Sequence, residues 1–172
     1  WQFTQELRVG GELEETPLTW EFGGFYLMEE LHYEVENFFN GGIGVANREY
    51  DQDLWSFGIF AGFVWDFMDD FVLEGGVRYN WERKTIDYTL VNTGLARSDL
   101  EERTWTAPTG TLSITYYFRE DVSAYWKYSR GWKGGHFNAS ASLDKGVTAA
   151  DPEVIDSFEA GMKGLFFDGR VA

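Results

Sequence analysis

The sequence has no cysteine, only two histidines and only three prolines among its 172 residues. Without cysteine it can form no disulfide, no thiolate metal site and no cysteine nucleophile. Basic residues are also few: 14 Lys and Arg stand against 29 Asp and Glu, giving a formal net charge of −15. Binding of a nucleic-acid backbone needs clustered basic charge, so this balance argues against a nucleic-acid partner.

Long apolar runs are missing as well. No stretch approaches the roughly 18 consecutive apolar residues that indicate a membrane helix, and the mean hydropathy is −0.35. A transmembrane β-barrel would give similar values, because each of its strands is apolar on one face only. The chain opens at Trp1 without a basic and apolar leader, so we interpret it as a mature segment or a fragment.

Aromatic residues and glycines are abundant, with 15 Phe, 9 Tyr, 8 Trp and 20 Gly. The apolar residues recur with a period of two. Every odd position from Trp55 to Trp65 is apolar, and after a turn at 66–70 the odd positions from Phe71 to Trp81 are again apolar or glycine. Strict alternation of this kind predicts β-strands with one apolar and one polar face.

The connections between these strands alternate in length. Short turns are predicted near residues 10–17, 66–70, 119–121 and 168–170, and long polar loops near 29–53, 83–104 and 131–152. Such asymmetry is typical of outer-membrane barrels, which have short periplasmic turns and long external loops. The strands run about 11 residues, a length that crosses a bilayer, and strands of soluble domains average about 5 to 6.

The predicted fold is therefore all-β: an antiparallel up-and-down transmembrane β-barrel segment of about seven to eight strands. Two alternatives stay open. One is a complete eight-stranded outer-membrane barrel that acts as an adhesin or a lipid-modifying enzyme. The other is a soluble all-β module whose Trp and Tyr faces bind carbohydrate.

Five sequence phrases carry a resemblance to a known family. They are FTQELRV at 3–9, GGVRYNWE at 75–82, WTAPTG at 105–110, YWKYSRGWKGGHFN at 125–138 and PEVIDSFEAGMKGLFFDGR at 152–170. In this order and spacing they resemble strand and turn phrases of the β-barrel of TonB-dependent outer-membrane receptors. Such receptors have a plug domain followed by a larger barrel of about 22 strands. Residues 1–172 are accordingly expected to be a partial barrel domain, without the plug and the remaining strands.

The resemblance implies a transporter, not an enzyme, in the outer membrane of a Gram-negative bacterium. It implies uptake of a ferric siderophore, with haem, cobalamin or an oligosaccharide as other cargoes, and no cofactor. The implied partners are outer-membrane lipid, the receptor's own plug domain and TonB, which supplies the energy for transport. The residues that contact TonB belong to a part of the family that has no counterpart here.

Two groups of candidate site residues follow. The polar face opposite the apolar rows is expected to line the lumen and, by the resemblance, to face the plug; its members are Glu74, Arg78, Glu82, Lys127, Glu159 and Lys163. Substrate contacts are expected in the long loops, where stacking and hydrogen-bonding side chains occur. These loop candidates are Tyr88, Trp132, Lys133, His136, Phe137 and Asn138.

Other chemistries have little support. Ser129, His136 and Asp144 could be arranged as a nucleophilic triad, but no GxSxG elbow accompanies them. The segment GWKGG at 131–135 lacks the spacing of a phosphate loop. His32 and His136 show no paired spacing that would predict a zinc site. Carboxylates such as Asp51 could bind a hard cation but more often are solvated loop charge.

Overall fold

The computed structural model describes residues 1–39, 44–92, 94–139 and 144–165. Among them no helix is long and apolar enough to cross a membrane. These described ranges contain nine strands: β1 Gln2–Leu13, β2 Thr16–Phe39, β3 Gly44–Met68, β4 Phe71–Asn92, β5 Leu95–Arg119, β6 Val122–Lys133, β7 His136–Phe137, β8 Ala149–Ala150 and β9 Glu153–Gly164. Seven of them form one sheet in the order β1-β2-β3-β4-β5-β6-β9, and β7 pairs with β8.

All pairings in the large sheet are antiparallel between neighbours along this order, which confirms the predicted up-and-down arrangement. The short turns follow Leu13, Met68 and Arg119, all at one end of the sheet. Each is preceded by a register shift in the strand pair that it closes. A bulge raises the local twist and ends regular pairing, so it suits a strand that is about to reverse. The turn predicted at 168–170 lies outside the described residues.

Two of the three predicted long loops are wrong. Residues 29–39 and 44–53 continue β2 and β3, whose pairing runs on to Phe39↔Gly44. Residues 83–92 and 95–104 continue β4 and β5 to Asn92↔Leu95. Their outer face is largely polar because it lies beyond the apolar band, and paired backbone needs no apolar outer face to satisfy its hydrogen bonds. The third segment, 131–152, does hold a connection, which contains the small β7–β8 pair.

The register separates two faces. Residues directly opposite each other on neighbouring strands lie on the same face, and on one face they form apolar rows across the sheet. One such row is Trp65↔Leu73↔Ile114↔Trp126. We call this face the outer face. Its side chains are exposed, with Val77 at 68% and Phe158 at 71%, because nothing in the described part of the chain packs against them. A large exposed apolar surface of this kind indicates a partner outside the described residues.

Aromatic rings mark both limits of the outer apolar band. Near the short turns, rings are in contact in a series along the sheet: Trp65, Phe67, Phe71, Tyr116 and Phe118. At the other limit Phe3, Tyr26 and Trp55 are in contact. Trp55 and Trp65 are ten positions apart, about 33 Å of strand. With a tilt of about 40° this spans about 25 Å, the height of the apolar band of outer-membrane barrels.

The buried core lies on the opposite, inner face, beyond the aromatic limit at Trp55. Residues 134–139 and 144–150, here called the strap, fold back over the inner face of β4 and β5. The side chains buried between the strap and the wall form the mouth cluster: Ile86, Tyr88, Leu90, Phe137 and Val147, with Tyr50, Trp105 and Ala139 packed against them. The only extensive burial among the described residues therefore sits where the sheet leaves the apolar band.

Candidate functional site

The inner face of the wall carries all six residues predicted to line the lumen. Their directly opposed partners show that they share one face: Glu74↔Ser113, Arg78↔Thr109, Glu82↔Trp105, Lys127↔Glu159 and Lys163↔Ser123. Because Ser113 is also opposed to Lys127, the two halves of the set belong to the same surface. That this surface meets a plug stays a prediction.

Arg78 is held on this inner face by two contacts. Its Nε donates to Asn80 Oδ1 at 2.8 Å, and its guanidinium lies 5.0 Å from the centre of the Phe25 ring. Gly58 leaves the room for this, since a Cβ there would lie 2.7 Å from Arg78 Nε. The glycine thus lets the guanidinium lie flat against the wall, with one fixed positive charge presented to the interior.

A second polar network occupies the β6–β9 side. Lys127 stands opposite Glu159, whose carboxylate accepts a hydrogen bond from the Tyr125 hydroxyl. The Tyr125 ring covers Gly161 on the neighbouring strand, and Lys163 Nζ lies 5.2 Å from the ring centre. An aromatic ring packed over a cross-strand glycine favours one register of the two strands. The charges of Lys127, Glu159 and Lys163 are therefore fixed in position relative to one another.

Between β2 and β5 the wall forms a shallow depression of about 580 Å³. Its floor is glycine-rich, with Gly62 and Gly76 directly opposed. Charged side chains of both signs border it: Glu21, Glu74, Arg78 and Arg130. The depression is therefore an open concave surface with charges of both signs at its border.

The strap is fastened by apolar burial. Phe137 is 6% exposed, and its ring centre lies 6.1 Å from that of Trp105. Tyr88 is fully buried beside it, and the Tyr88 hydroxyl accepts a hydrogen bond from Arg48 Nε at 3.1 Å. Because a buried tyrosine hydroxyl needs a partner, Arg48 makes the burial of this ring possible.

Lys84 ties the start of the strap to the wall. Its Nζ donates to the Gly135 carbonyl at 2.8 Å and forms an ion pair with Glu82 at 2.8 Å. The two side chains are only 13% and 14% exposed, so water screens this pair little. Gly134 lies against the Glu82 carboxylate, at a distance that leaves no room for a Cβ. Glycine at this point therefore lets the strap approach the wall without displacing the end of the Glu82 side chain.

Asp99 ties the far end of the strap. Its carboxylate pairs with Arg97 at 2.7 Å and accepts the backbone N–H of Val147 at 3.3 Å. The hydrogen bond from Arg97 holds the pKa of Asp99 below its ordinary value, against the opposing effect of desolvation. Within the strap the Asn138 N–H donates to the Thr148 carbonyl at 2.8 Å. The two described arms of the strap are thus paired with each other, and each is tied to the wall.

The structure brings four of the six loop candidates together. Tyr88 of the wall and Phe137 of the strap are buried between the two, and His136 and Asn138 are exposed on the strap. Lys133 lies at the end of β6, exposed and 3.9 Å from Glu153. Trp132 is directly opposed to Val154 and so belongs to the outer face, away from the others. Substrate contact by these residues stays a prediction.

Sequence reasoning missed the residues that fasten the strap, Lys84, Arg97 and Asp99. The sequence does carry one signal of the strap. The apolar residues of this segment occupy odd positions up to Trp81 and even positions from Ile86 to Leu90. A change of parity means that the apolar side chains change face. The register of β4 shows this change.

A further group of chemically capable side chains lies on the outer face. His32 Nδ1 and Asp51 Oδ1 are 2.7 Å apart, and Glu49 is close by. The hydrogen bond with Asp51 raises the pKa of His32. The sequence spacing could not predict this group, because it joins two strands through their register.

The comparisons with known proteins agree with this architecture. Residues 1–172 match the family described as TonB dependent receptor-like, beta-barrel. Three solved structures are similar in fold: the ferric yersiniabactin uptake receptor FyuA of Yersinia pestis (18% identity, TM-score 0.75), the siderophore receptor PiuA of Acinetobacter baumannii (18%, 0.73) and the ferric-catecholate import receptor Fiu of E. coli K12 (15%, 0.63).

These similarities cover 95%, 98% and 98% of this chain, respectively, but only 26%, 29% and 29% of those structures. The chain therefore spans less than a third of the length of these relatives. Its seven-stranded sheet, its two-faced strands and the match over all residues together show that it belongs to the TonB-dependent receptor-like β-barrel family.

Proposed function

We propose that this chain forms part of the wall and the external mouth of a TonB-dependent transporter in the outer membrane of a Gram-negative bacterium, with a ferric siderophore as cargo. The observation that carries the proposal is the two-faced sheet, apolar outside and polar inside, which continues past the apolar band into a mouth closed in by the strap. The three similar structures are named as a ferric yersiniabactin uptake receptor, a siderophore receptor and a ferric-catecholate import receptor.

The inner face supports the presence of a plug in the complete receptor. Its depression carries charges of both signs on a glycine-rich floor, so a polar domain can approach the backbone closely. In this proposal Glu74, Arg78, Glu82, Lys127, Glu159 and Lys163 face the plug, and outer-membrane lipid covers the opposite face. TonB acts on the plug and does not contact this wall.

Substrate contacts are proposed on the strap. His136 and Asn138 are exposed there and offer hydrogen bonds to a polar ligand. Tyr88 and Phe137 lie beneath them and act as positioning residues, because their burial fixes the strap on the wall. Lys133, at the entrance to the strap, adds a positive charge that an anionic ferric complex would meet.

The proposal is tested by uptake of radioactive iron in cells that carry or lack the gene for the complete protein. Ferric siderophores of the catecholate, hydroxamate and mixed classes are supplied one at a time, with haem and cobalamin as other cargoes. We expect uptake of one ferric siderophore that disappears without the gene and without TonB. Uptake of haem or cobalamin alone, or uptake that is independent of TonB, would contradict the proposal.

The strap residues are then tested in the same assay. His136→Ala combined with Asn138→Ala should weaken half-saturation by about tenfold, the loss expected when about 1.4 kcal/mol of hydrogen bonding is removed. Thr104→Ala, an exposed position on the outer face, is the control and should leave half-saturation unchanged. Equal effects of the two changes would refute a specific role for the strap.

A further inference from the structure

The outer face of the β2–β3 hairpin carries ligand groups of a kind that binds metal ions. His32 is directly opposed to Asp51, and Glu49 projects from the same face of β3 two positions along. All three side chains are exposed. Because they stand on two hydrogen-bonded strands, the register fixes their backbone positions relative to one another.

The distances among these groups suit one metal ion. One ligand atom from each of His32, Glu49 and Asp51 lies within 4.8 Å of the others, and His32 Nδ1 is 2.7 Å from Asp51 Oδ1. Zinc bonds of about 2.0 to 2.2 Å place neighbouring ligand atoms roughly 3 to 3.5 Å apart. Exposed side chains can reach this spacing by small rotations, so no movement of the strands is required.

The surrounding charge gives an independent reason for a cation. The register places like charges directly opposite each other twice at this point, in Glu34↔Glu49 and Asp51↔Asp87. Directly opposed like charges destabilise a sheet. In the part of the chain that the structure describes, none of these four carboxylates forms an ion pair with Lys or Arg. A divalent cation between the strands would offset the repulsion.

We propose that His32, Glu49 and Asp51 form a binding site for a divalent cation of the zinc class on the outer face of the hairpin. The imidazole nitrogen favours zinc over calcium or magnesium, which prefer oxygen ligands alone. Three protein ligands leave the fourth position to water. The site lies on the opposite face from the strap, so it does not depend on the proposed cargo and would clip β2 to β3 beyond the apolar band.

The test uses the complete protein, produced without a histidine tag, purified in detergent and stripped with a chelator. Isothermal titration with zinc chloride alone should show one site per chain, and titration with calcium chloride should show at least tenfold weaker binding. His32→Ala and Glu49→Gln should each weaken zinc binding at least tenfold, a loss of the size seen when a metal site loses a partner. Asp69→Asn, at the opposite rim, removes a matched carboxylate and should leave binding within twofold.

Heat-modifiable gel mobility establishes that each variant is folded, which is expected because the replaced side chains are exposed. Absence of stoichiometric zinc binding in the unaltered protein would overturn the proposal. So would equal zinc affinity in the His32→Ala variant and the unaltered protein, because binding would then be adventitious. Calcium affinity equal to that for zinc would overturn the assignment of the histidine as a ligand.

Discussion

Replacing Phe137 by alanine is the sharpest perturbation of the mouth. Its ring is 6% exposed and packs against Trp105 and the rest of the mouth cluster. Removal of a buried phenylalanine ring costs about 3 to 5 kcal/mol through lost burial and the cavity that remains. The wall beneath the strap is held by its own strand pairing, so the loss should fall on docking of the strap and leave the barrel folded.

Hydrogen exchange of the complete protein in detergent measures this docking directly. The Val147 amide donates to Asp99 of the wall and is hydrogen-bonded only while the strap is docked. The Asn138 amide donates to Thr148 within the strap, whose two paired residues are too few to stay paired away from the wall. A cost of 3 to 5 kcal/mol corresponds to faster exchange of these amides by a factor of about 100 to a few thousand. Phe38→Ala, an exposed phenylalanine on β2, is the control and should change neither amide.

If exchange at both amides stays within threefold in the Phe137→Ala variant, the strap is not held by apolar burial and the reasoning fails. Faster exchange throughout β4 and β5 would also refute it, because the wall would then depend on the strap. The separation between local and general opening is the decisive feature of the experiment.

Three further predictions concern the faces, the sidedness and the pH dependence. Ile59→Arg on the outer face should destabilise the complete protein in lipid by about 2 to 4 kcal/mol, and Glu74→Gln on the inner face by less than about 1; equal losses in reversible unfolding would show that the faces are assigned wrongly. A cysteine at Leu95 should react with an impermeant thiol reagent on whole cells and one at Asp69 should not; the reverse result would invert the topology. Because the pKa of Asp99 is lowered in the folded protein, its carboxylate contributes fully to strap docking at neutral pH. That contribution is lost as the pH falls through the folded pKa. Exchange of the Val147 amide, corrected for its intrinsic rate, should therefore accelerate only below about pH 4.

The two faces of the membrane-spanning strands could be predicted from the sequence. In this region the alternation is strict, and a slip of one residue would turn every apolar side chain to the other face. Ile59 is opposed to Gly24 and Tyr79 on the outer face, as the odd parity of β3 indicates. The short turns followed from the same alternation, because each interrupts a row of fixed parity.

The strap could not be predicted in the same way. Lys84, Glu82 and Gly135 come together across 51 positions of the chain, and their contact depends on a hairpin folding back over a wall. The polar composition of 83–104 predicted a loop, yet these residues form strands because cross-strand pairing satisfies the backbone. The spacing of residues along the chain gives little indication of such contacts between distant segments.

One feature of the sequence does mark where the membrane ends, and it is independent of the aromatic rings. The apolar residues of β4 change from the outer face at Trp81 to the inner face at Ile86, and those of β2 change between Met28 and Leu31. The register sets Met28 opposite Trp55, in one row across the sheet. In the proposed membrane setting, lipid would cover the outer face below this row and water would cover it above. Above the row only the inner face can still bury apolar side chains, under the strap. The change of parity at a common level therefore places the boundary of the apolar band at this row.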